Sequence, residues 1–327
     1  VRLRWAALGA VACLCAGVAA YVYFSADPLG REGRPVTVAI PEGTSTPAIA
    51  RLLAKAHVVH SPTLFEIYVK LAGTKPLLAG TYQLPTNESY AQAVSALERG
   101  PVTRKLVVPD GYTVAKIAAA IARLDVGISA EAFVRATEEV RSPYEPPGTH
   151  SLEGLLYPAT YPVAVGESAR ALVRYMVSTF DAHAAELGLA AAARRLGYSP
   201  YQVVTVASIV EKEAALDVDR GPIASTIYNR LARGLPVGAE STLVYALGGQ
   251  VPKDLLQPTP YNTFVNRGLP PTPIGSPGAA SLEAAMHPPR TDYLFWVEVR
   301  PDGKMGFAST EAGFARLQRE CRAVKLC

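Results

Sequence analysis

The sequence predicts an α+β protein in three parts. These are an N-terminal transmembrane helix over residues 1–24, a small α/β module over 36–124 after a linker at 25–35, and a mixed α+β domain over 150–327. Three observations predict this. An uncharged apolar run opens the chain, a strand–turn–helix pattern occurs twice, and a long apolar helix later ends abruptly in charge.

Trp5 to Phe24 carries no charge over 20 residues. As a helix it is about 30 Å long, the thickness of a bilayer core. Arg2 and Arg4 precede it, and Tyr21, Tyr23 and Phe24 close it. Basic residues stay cytoplasmic and aromatics favour the interface, so the N-terminus is expected inside and the rest outside. A cleaved signal peptide would have a shorter apolar core of ~7–15 residues and a small-residue cleavage site. The run is longer and ends in bulky aromatics, so a retained single-pass anchor is expected.

After the linker, Val36-Thr37-Val38-Ala39-Ile40 reads as a strand, because β-branched residues pack well on a pleated surface. Pro41-Glu42-Gly43-Thr44 reads as a turn, Thr44 or Thr46 as a helix cap, and Ile49, Leu52 and Leu53 as a helix face. Leu106-Val107-Val108, then Pro109-Asp110-Gly111-Tyr112-Thr113, then Ile117 and Ile121 repeat the pattern, with Pro41 and Pro109 68 residues apart. Between the copies, helices are expected at 61–71 and 89–98 and a strand at 79–84. A proline-rich loop at 142–148 marks a boundary. Helices are expected next at 168–187, 190–196 and 223–231, and a short one at 281–286. Residues 258–277 are too rich in Pro and Gly to be regular. Tyr293-Leu294-Phe295-Trp296-Val297 reads as a buried strand, with Phe307 on its partner.

The charged helix end is the most informative segment. Val203-Val204-Thr205-Val206-Ala207-Ser208-Ile209-Val210 runs straight into Glu211-Lys212-Glu213. Charged groups are rarely buried unless paired. At 3.6 residues per turn Glu213 lies below Ile209 and Val206, and Glu211 below Ala207 and Val204. Acids two apart point about 200° away from each other, so they are no close pair. Glu213 has the bulkier apolar row, and a carboxyl against apolar surface retains its proton, which suits a general acid. On spacing alone a solvated charged helix end is the better fit, since charge clusters are usually solvated.

Other classes are excluded by composition. The net charge is +4, and the basic residues form no stripe with interleaved aromatics, so nucleic acid is not an expected partner. His57 and His60 are a close pair without a nearby Cys or carboxylate, so neither a metal nor another cofactor is expected. Ser208 and Lys212 are one residue too far apart for the S-x-x-K of acyl-transfer enzymes. Cys321 and Cys327 close the chain, and oxidising surroundings outside the cytoplasm permit a disulfide between them.

Several blocks in order resemble the MltG (YceG-like) endolytic murein transglycosylases. They are Ala207-Ser208-Ile209-Val210-Glu211-Lys212-Glu213, Tyr228-Asn229-Arg230-Leu231, Thr259-Pro260-Tyr261-Asn262-Thr263, Gly268-Leu269-Pro270-Pro271 and Ser276-Pro277-Gly278. Leu152-Glu153-Gly154 with Pro158, Thr160 and Tyr161 fits the segment before the catalytic helix. The resemblance implies a LysM-like first module and a catalytic second domain. It implies internal cleavage of peptidoglycan glycan strands, leaving 1,6-anhydro-muramyl ends, at the inner (cytoplasmic) membrane, with peptidoglycan synthases as partners. The matching catalytic acid is Glu213. Glu211, Tyr228, Asn229, Thr242, Tyr261, Asn262 and Thr263 are the expected substrate-binding residues. On the residues alone, Tyr261, Asn262 and Thr263 also fit an Asn-stabilised turn, and Glu211 a structural acid. The chain departs from the family pattern at Ala159, Gly238, Glu240 and Met305-Gly306.

Overall fold

The computed structural model describes residues 11–19 and 33–327. The expected anchor and linker fall mostly outside these residues. Within the anchor, residues 11–19 form a helix, α1. No helix among the described residues is long and apolar enough to cross a membrane.

The described chain divides into two compact units. The smaller holds β1 (Pro35–Ile40), α2 (Thr46–Lys55), α3 (Pro62–Ala72), β2 (Gly80–Pro85) and α4 (Tyr90–Arg99), continues to Lys105, and takes in two later segments, Leu124–Ile128 and Pro162–Ser168. β1 and β2 pair antiparallel, from Pro35 opposite Pro85 to Ile40 opposite Gly80. Alternate strand residues Val38, Ile40, Tyr82 and Leu84 face a core shared with Ile49, Leu53, Phe65 and Leu97. That is the period-2 pattern meeting the helical one. Ser61 and Ser89 cap α3 and α4, and Gln92 completes a capping box with Ser89.

The strand–helix–helix–strand order then recurs in β3 (Thr103–Val107), α5 (Val114–Ala122), α6 (Ala130–Glu139) and β4 (Thr160–Ala164), with β3 paired to β4. The expected module boundary at 124 differs from the observed division. Residues 106–123 belong to the larger unit, because Leu106, Ile117 and Ile121 are buried in its packing, where α5 packs on α6 and α6 on the next helix. α6 is not foreseen in the sequence.

The larger unit continues through α7 (Ala169–Glu186), α8 (Leu189–Leu196), α9 (Pro200–Glu213), α10 (Asp217–Ala232), α11 (Glu240–Ala246) and α12 (Ala279–Met286). A hairpin of β5 (Phe295–Glu298) and β6 (Met305–Ala308) and a last helix, α13 (Glu311–Ala323), complete it. α9 is the central element and packs on α8, α10, α11 and α12. Ser199 and Gln202 form its capping box, and Pro200 fits its first turn, where no backbone donor is needed. Every residue from Val203 to Val210 is buried, Thr205 and Ser208 included. The two hydroxyls donate to carbonyls one turn back, at Tyr201 and Thr205, so neither is left unsatisfied. α13 packs on β5 and β6, and a Cys321–Cys327 disulfide fastens its end.

Candidate active site

α9 runs three residues past its buried length, which ends at Val210. Ala214 takes an extended conformation, which leaves Glu213 in the last turn of the helix. The Ser241 N–H at the start of α11 donates to Glu213 Oε1 at 3.2 Å, and the Trp296 indole N–H on β5 donates to Oε2 at 3.2 Å. Glu213 thus stands at the end of the apolar row, and its carboxylate meets two fixed N–H donors there.

Both donors are themselves held. Thr263 Oγ1 accepts from the Ala239 N–H at 3.0 Å and lies 2.9 Å from Thr242 Oγ1, which fixes the entry to α11. Asp219, fully buried on α10, pairs with Lys304 and accepts from the Met305 N–H at 2.9 Å, which fixes the β5–β6 hairpin. Gly303 turns that hairpin at φ +86°, where an added Cβ would lie 2.4 Å from the Ala215 side chain.

Glu213 opens onto a cavity of about 970 Å³. That is the upper end of the range for small-molecule sites. Lys116, Glu153, Lys212, Glu240, Tyr245 and Tyr261 share its lining. Glu153 is 5% exposed. Its carboxylate accepts from the Val114 N–H at 3.1 Å and from the Tyr245 hydroxyl at 3.1 Å. Burial pushes this carboxyl up to about 7 despite those hydrogen bonds. The Tyr245 and Tyr261 rings lie 5.0 Å apart at 53°, and the Tyr261 hydroxyl is 2.9 Å from Thr272 Oγ1.

Of the expected site residues, Glu213 and Tyr261 meet in this cavity. Glu211 does not line it. Its side chain, 8% exposed, pairs with Arg220 at 3.3 Å and accepts from the Gly278 N–H at 3.1 Å. It ties α9 to α10 and to the start of α12. Asn262 and Thr263 are buried, and Asn262 Nδ2 donates to the Leu255 and Gln257 carbonyls at 2.8 Å, the turn-stabilising alternative. Thr242 is buried in the same network. Tyr228 donates to the Ala285 carbonyl at 3.0 Å, and Asn229 to those of Thr291 and Tyr293. Tyr228 and Asn229 line a separate cavity of about 480 Å³ beside His287. Lys212 donates to the Gly111 carbonyl rather than to Glu211.

The structure adds Glu153, Lys116, Tyr245 and Trp296. Glu153 has a sequence signal, since a lone acid between Leu152 and Leu155 in a buried stretch is unusual. Lys116 and Trp296 lie 97 and 83 residues from Glu213, and no local pattern connects them. Among the family departures, Glu240 lines the cavity and Ala159, Gly238 and Met305 do not.

These elements and their order define the class. The chain belongs to the YceG-like family, whose model matches residues 38–320. It is 31% identical over 310 residues to the endolytic murein transglycosylase of Bacillus subtilis (strain 168), spanning 87% of this chain and 84% of that protein. It is 30% identical to the endolytic murein transglycosylase of Streptococcus pneumoniae serotype 2 (strain D39), spanning 89% of this chain and 59% of that longer protein. A crystal structure of a putative yceG-like protein, lmo1499 of Listeria monocytogenes, is similar with a TM-score of 0.59 and 32% identity. That match covers 87% of this chain and 99% of the other.

Proposed function

We propose that this chain is an endolytic murein transglycosylase. It cleaves the MurNAc–GlcNAc bond within glycan strands and leaves 1,6-anhydroMurNAc ends, which terminates strand elongation. The observation that carries the reading is Glu213, at the end of a buried helix, facing a cavity with an aromatic wall.

The chemistry needs one acid. Protonated Glu213 gives its proton to the glycosidic oxygen as the bond to C1 breaks. The C6 hydroxyl of the same muramyl residue attacks C1, and its proton returns to the Glu213 carboxylate. No water is consumed, so the second carboxylate of ordinary glycosidases is not obligatory. The Ser241 and Trp296 donors hold the carboxylate in one orientation through both steps.

A second reading is a hydrolytic muramidase, and Glu153 and Glu240 in the same cavity are the observation in its favour. Mass spectrometry of strands released from purified sacculi decides between them. Anhydro ends are lighter than hydrolysed ends by one water. A non-catalytic wall-binding protein would release neither.

Three further parts of the proposal concern the setting. The β1–α2–α3–β2 unit is read as a LysM-like glycan-binding module, supported by its strand–helix–helix–strand order. The uncharged run at 5–24 is read as a retained inner-membrane anchor with the catalytic domain outside. A reporter active only outside the cytoplasm, fused after Cys327, should then be active. Recovery of the whole protein in a soluble fraction would remove the anchor. Peptidoglycan synthases are the proposed partners, tested by co-purification from membranes.

A further inference from the structure

We propose that Tyr245 and Tyr261 form the wall that binds a pyranose ring of the glycan strand beside Glu213, and that Glu153 is the residue that positions Tyr245. This rests on the transglycosylase reading and names the sugar-binding part of its site.

Four observations carry it. Both rings line the cavity that Glu213 opens onto. They lie 5.0 Å apart at 53°, so they present two faces of one corner rather than a single flat stack. Both are half-buried, so each keeps surface for a ligand. Both hydroxyls are tied at the outer end, Tyr245 to Glu153 Oε2 at 3.1 Å and Tyr261 to Thr272 at 2.9 Å. Tying the hydroxyl fixes the ring and leaves its apolar face as the free surface. The axial C–H face of a hexopyranose is apolar and flat, and it matches such a ring.

Glu153 does not itself touch the strand. It is 5% exposed, and its oxygens are already occupied by the Val114 N–H and the Tyr245 hydroxyl. Through Val114 it also holds the first turn of α5, which carries the cavity residue Lys116. Gly154 beside it sits at φ +79°, and an added Cβ there would lie 2.4 Å from the Pro273 side chain. The turn that aims Glu153 therefore requires glycine.

The test uses the full chain and glycan strands freed of their stem peptides. Binding is measured in the Glu213→Gln background, where no cleavage intervenes. Tyr245→Ala and Tyr261→Ala should each raise Kd roughly tenfold, the scale of losing one aromatic contact and its buried area. Tyr245→Leu, which keeps bulk without a ring, should weaken binding similarly and serves if the alanine variant does not fold. In the active enzyme, Tyr245→Phe and Glu153→Ala should raise KM by about threefold, the scale of one neutral hydrogen bond, with kcat little changed. Glu153→Gln, which keeps an acceptor, should recover most of that loss. Folded Tyr245 and Tyr261 variants that bind as tightly as the parent overturn the wall. A Glu153→Ala that lowers kcat with KM unchanged overturns the positioning role and makes Glu153 part of the chemistry. Strand binding in the Glu213→Gln background does not depend on which bond chemistry follows. The masses of the wild-type product ends judge the transglycosylase reading separately.

Discussion

At the scale of single residues, two acids two positions apart have opposite tasks. Glu213 faces the cavity, and Glu211 faces Arg220 and the Gly278 N–H. Glu213→Gln keeps the shape but neither donates nor takes back a carboxylic proton. It should lower formation of anhydro ends by about 10²–10⁴-fold, with the melting temperature lowered only slightly, because the amide nitrogen cannot accept from one of the two N–H donors at Ser241 and Trp296. Glu211→Gln should behave in the reverse way. Half-removing a buried, charge-assisted partner of Arg220 should cost about 1–3 kcal/mol of stability, while the folded fraction still cleaves. Melting curves and cleavage of the same sacculi check both, and an inactive, fully stable Glu211→Gln would reverse the assignment.

Glu153 gives a pH signature. Its carboxyl stands at about 7 in the folded chain against 4.5 for an unperturbed one, chiefly through burial. The groups facing it are Lys212 on α9, Tyr201 at the start of α9 and Tyr245 on α11, with Lys116, Glu213 and Glu240 sharing the cavity. A folded value above the unfolded one means the native state holds the proton longer. The contribution of this group to stability is therefore greatest below about 4.5, is lost as pH rises towards about 7, and is flat beyond. The span corresponds to about 3 kcal/mol. Urea midpoints at pH 5 and pH 8 should differ by less in Glu153→Gln than in the parent. An equal difference in the two proteins would mean that this carboxyl is ionised throughout.

At the scale of elements, the β5–β6 hairpin acts on the site through one side chain. Trp296 reaches Glu213 because Asp219 holds the other strand of the hairpin at Lys304 and Met305. Asp219→Ala should leave Lys304 unpaired and loosen the hairpin, lowering kcat several-fold with the cavity otherwise intact. Trp296→Phe should show the same direction. If Asp219→Ala alters stability and leaves kcat untouched, the hairpin does not orient the acid. Gly303→Ala meets both a positive φ and the Ala215 side chain, and about 1–3 kcal/mol of destabilisation is expected from crowding of this kind.

At the scale of the whole molecule, the position of α5 sets where the chain can be cut. Residues 106–123 pack with the larger unit, and Thr113 and Lys116 line the cavity. A chain starting at residue 103 should keep bond cleavage while binding sacculi more weakly than the full chain. A chain starting at 125 should lose both, because it lacks one wall of the cavity. Pull-down on sacculi and release of soluble strands separate the two. Equal sacculus binding by the full chain and the chain from 103 would overturn the proposed glycan-binding role of the β1–α4 segment.

The sequence by itself determined the elements with strong periodicity and clear caps. α2, α3, α4, α7, α8, α9 and α10 stand within a few residues of expectation or enclose it, because apolar spacing acts within one or two turns, helped by serine caps at α3, α4 and α9. It also marked the charged end of α9 at Glu211 to Glu213, because an abrupt change from buried to charged residues at a helix end is a local event. α11 and β4 are short and owe their form to what they pack against, whereas α6 and α13, also unforeseen, carry local caps of their own at Ser129 and Thr310. The tertiary structure alone decided which polar residues face the cavity. Asn262, Thr263, Thr242, Asn229 and Glu211 have the side chains of a sugar site, yet all five are spent on backbone or ion-pair partners inside the fold. A buried polar group must find a partner, and the sequence does not say whether that partner is a substrate or the protein's own carbonyls and N–H groups. Glu153, Tyr245, Trp296 and Lys116 come to Glu213 from four distant segments, and only the packing of those segments around α9 brings them together.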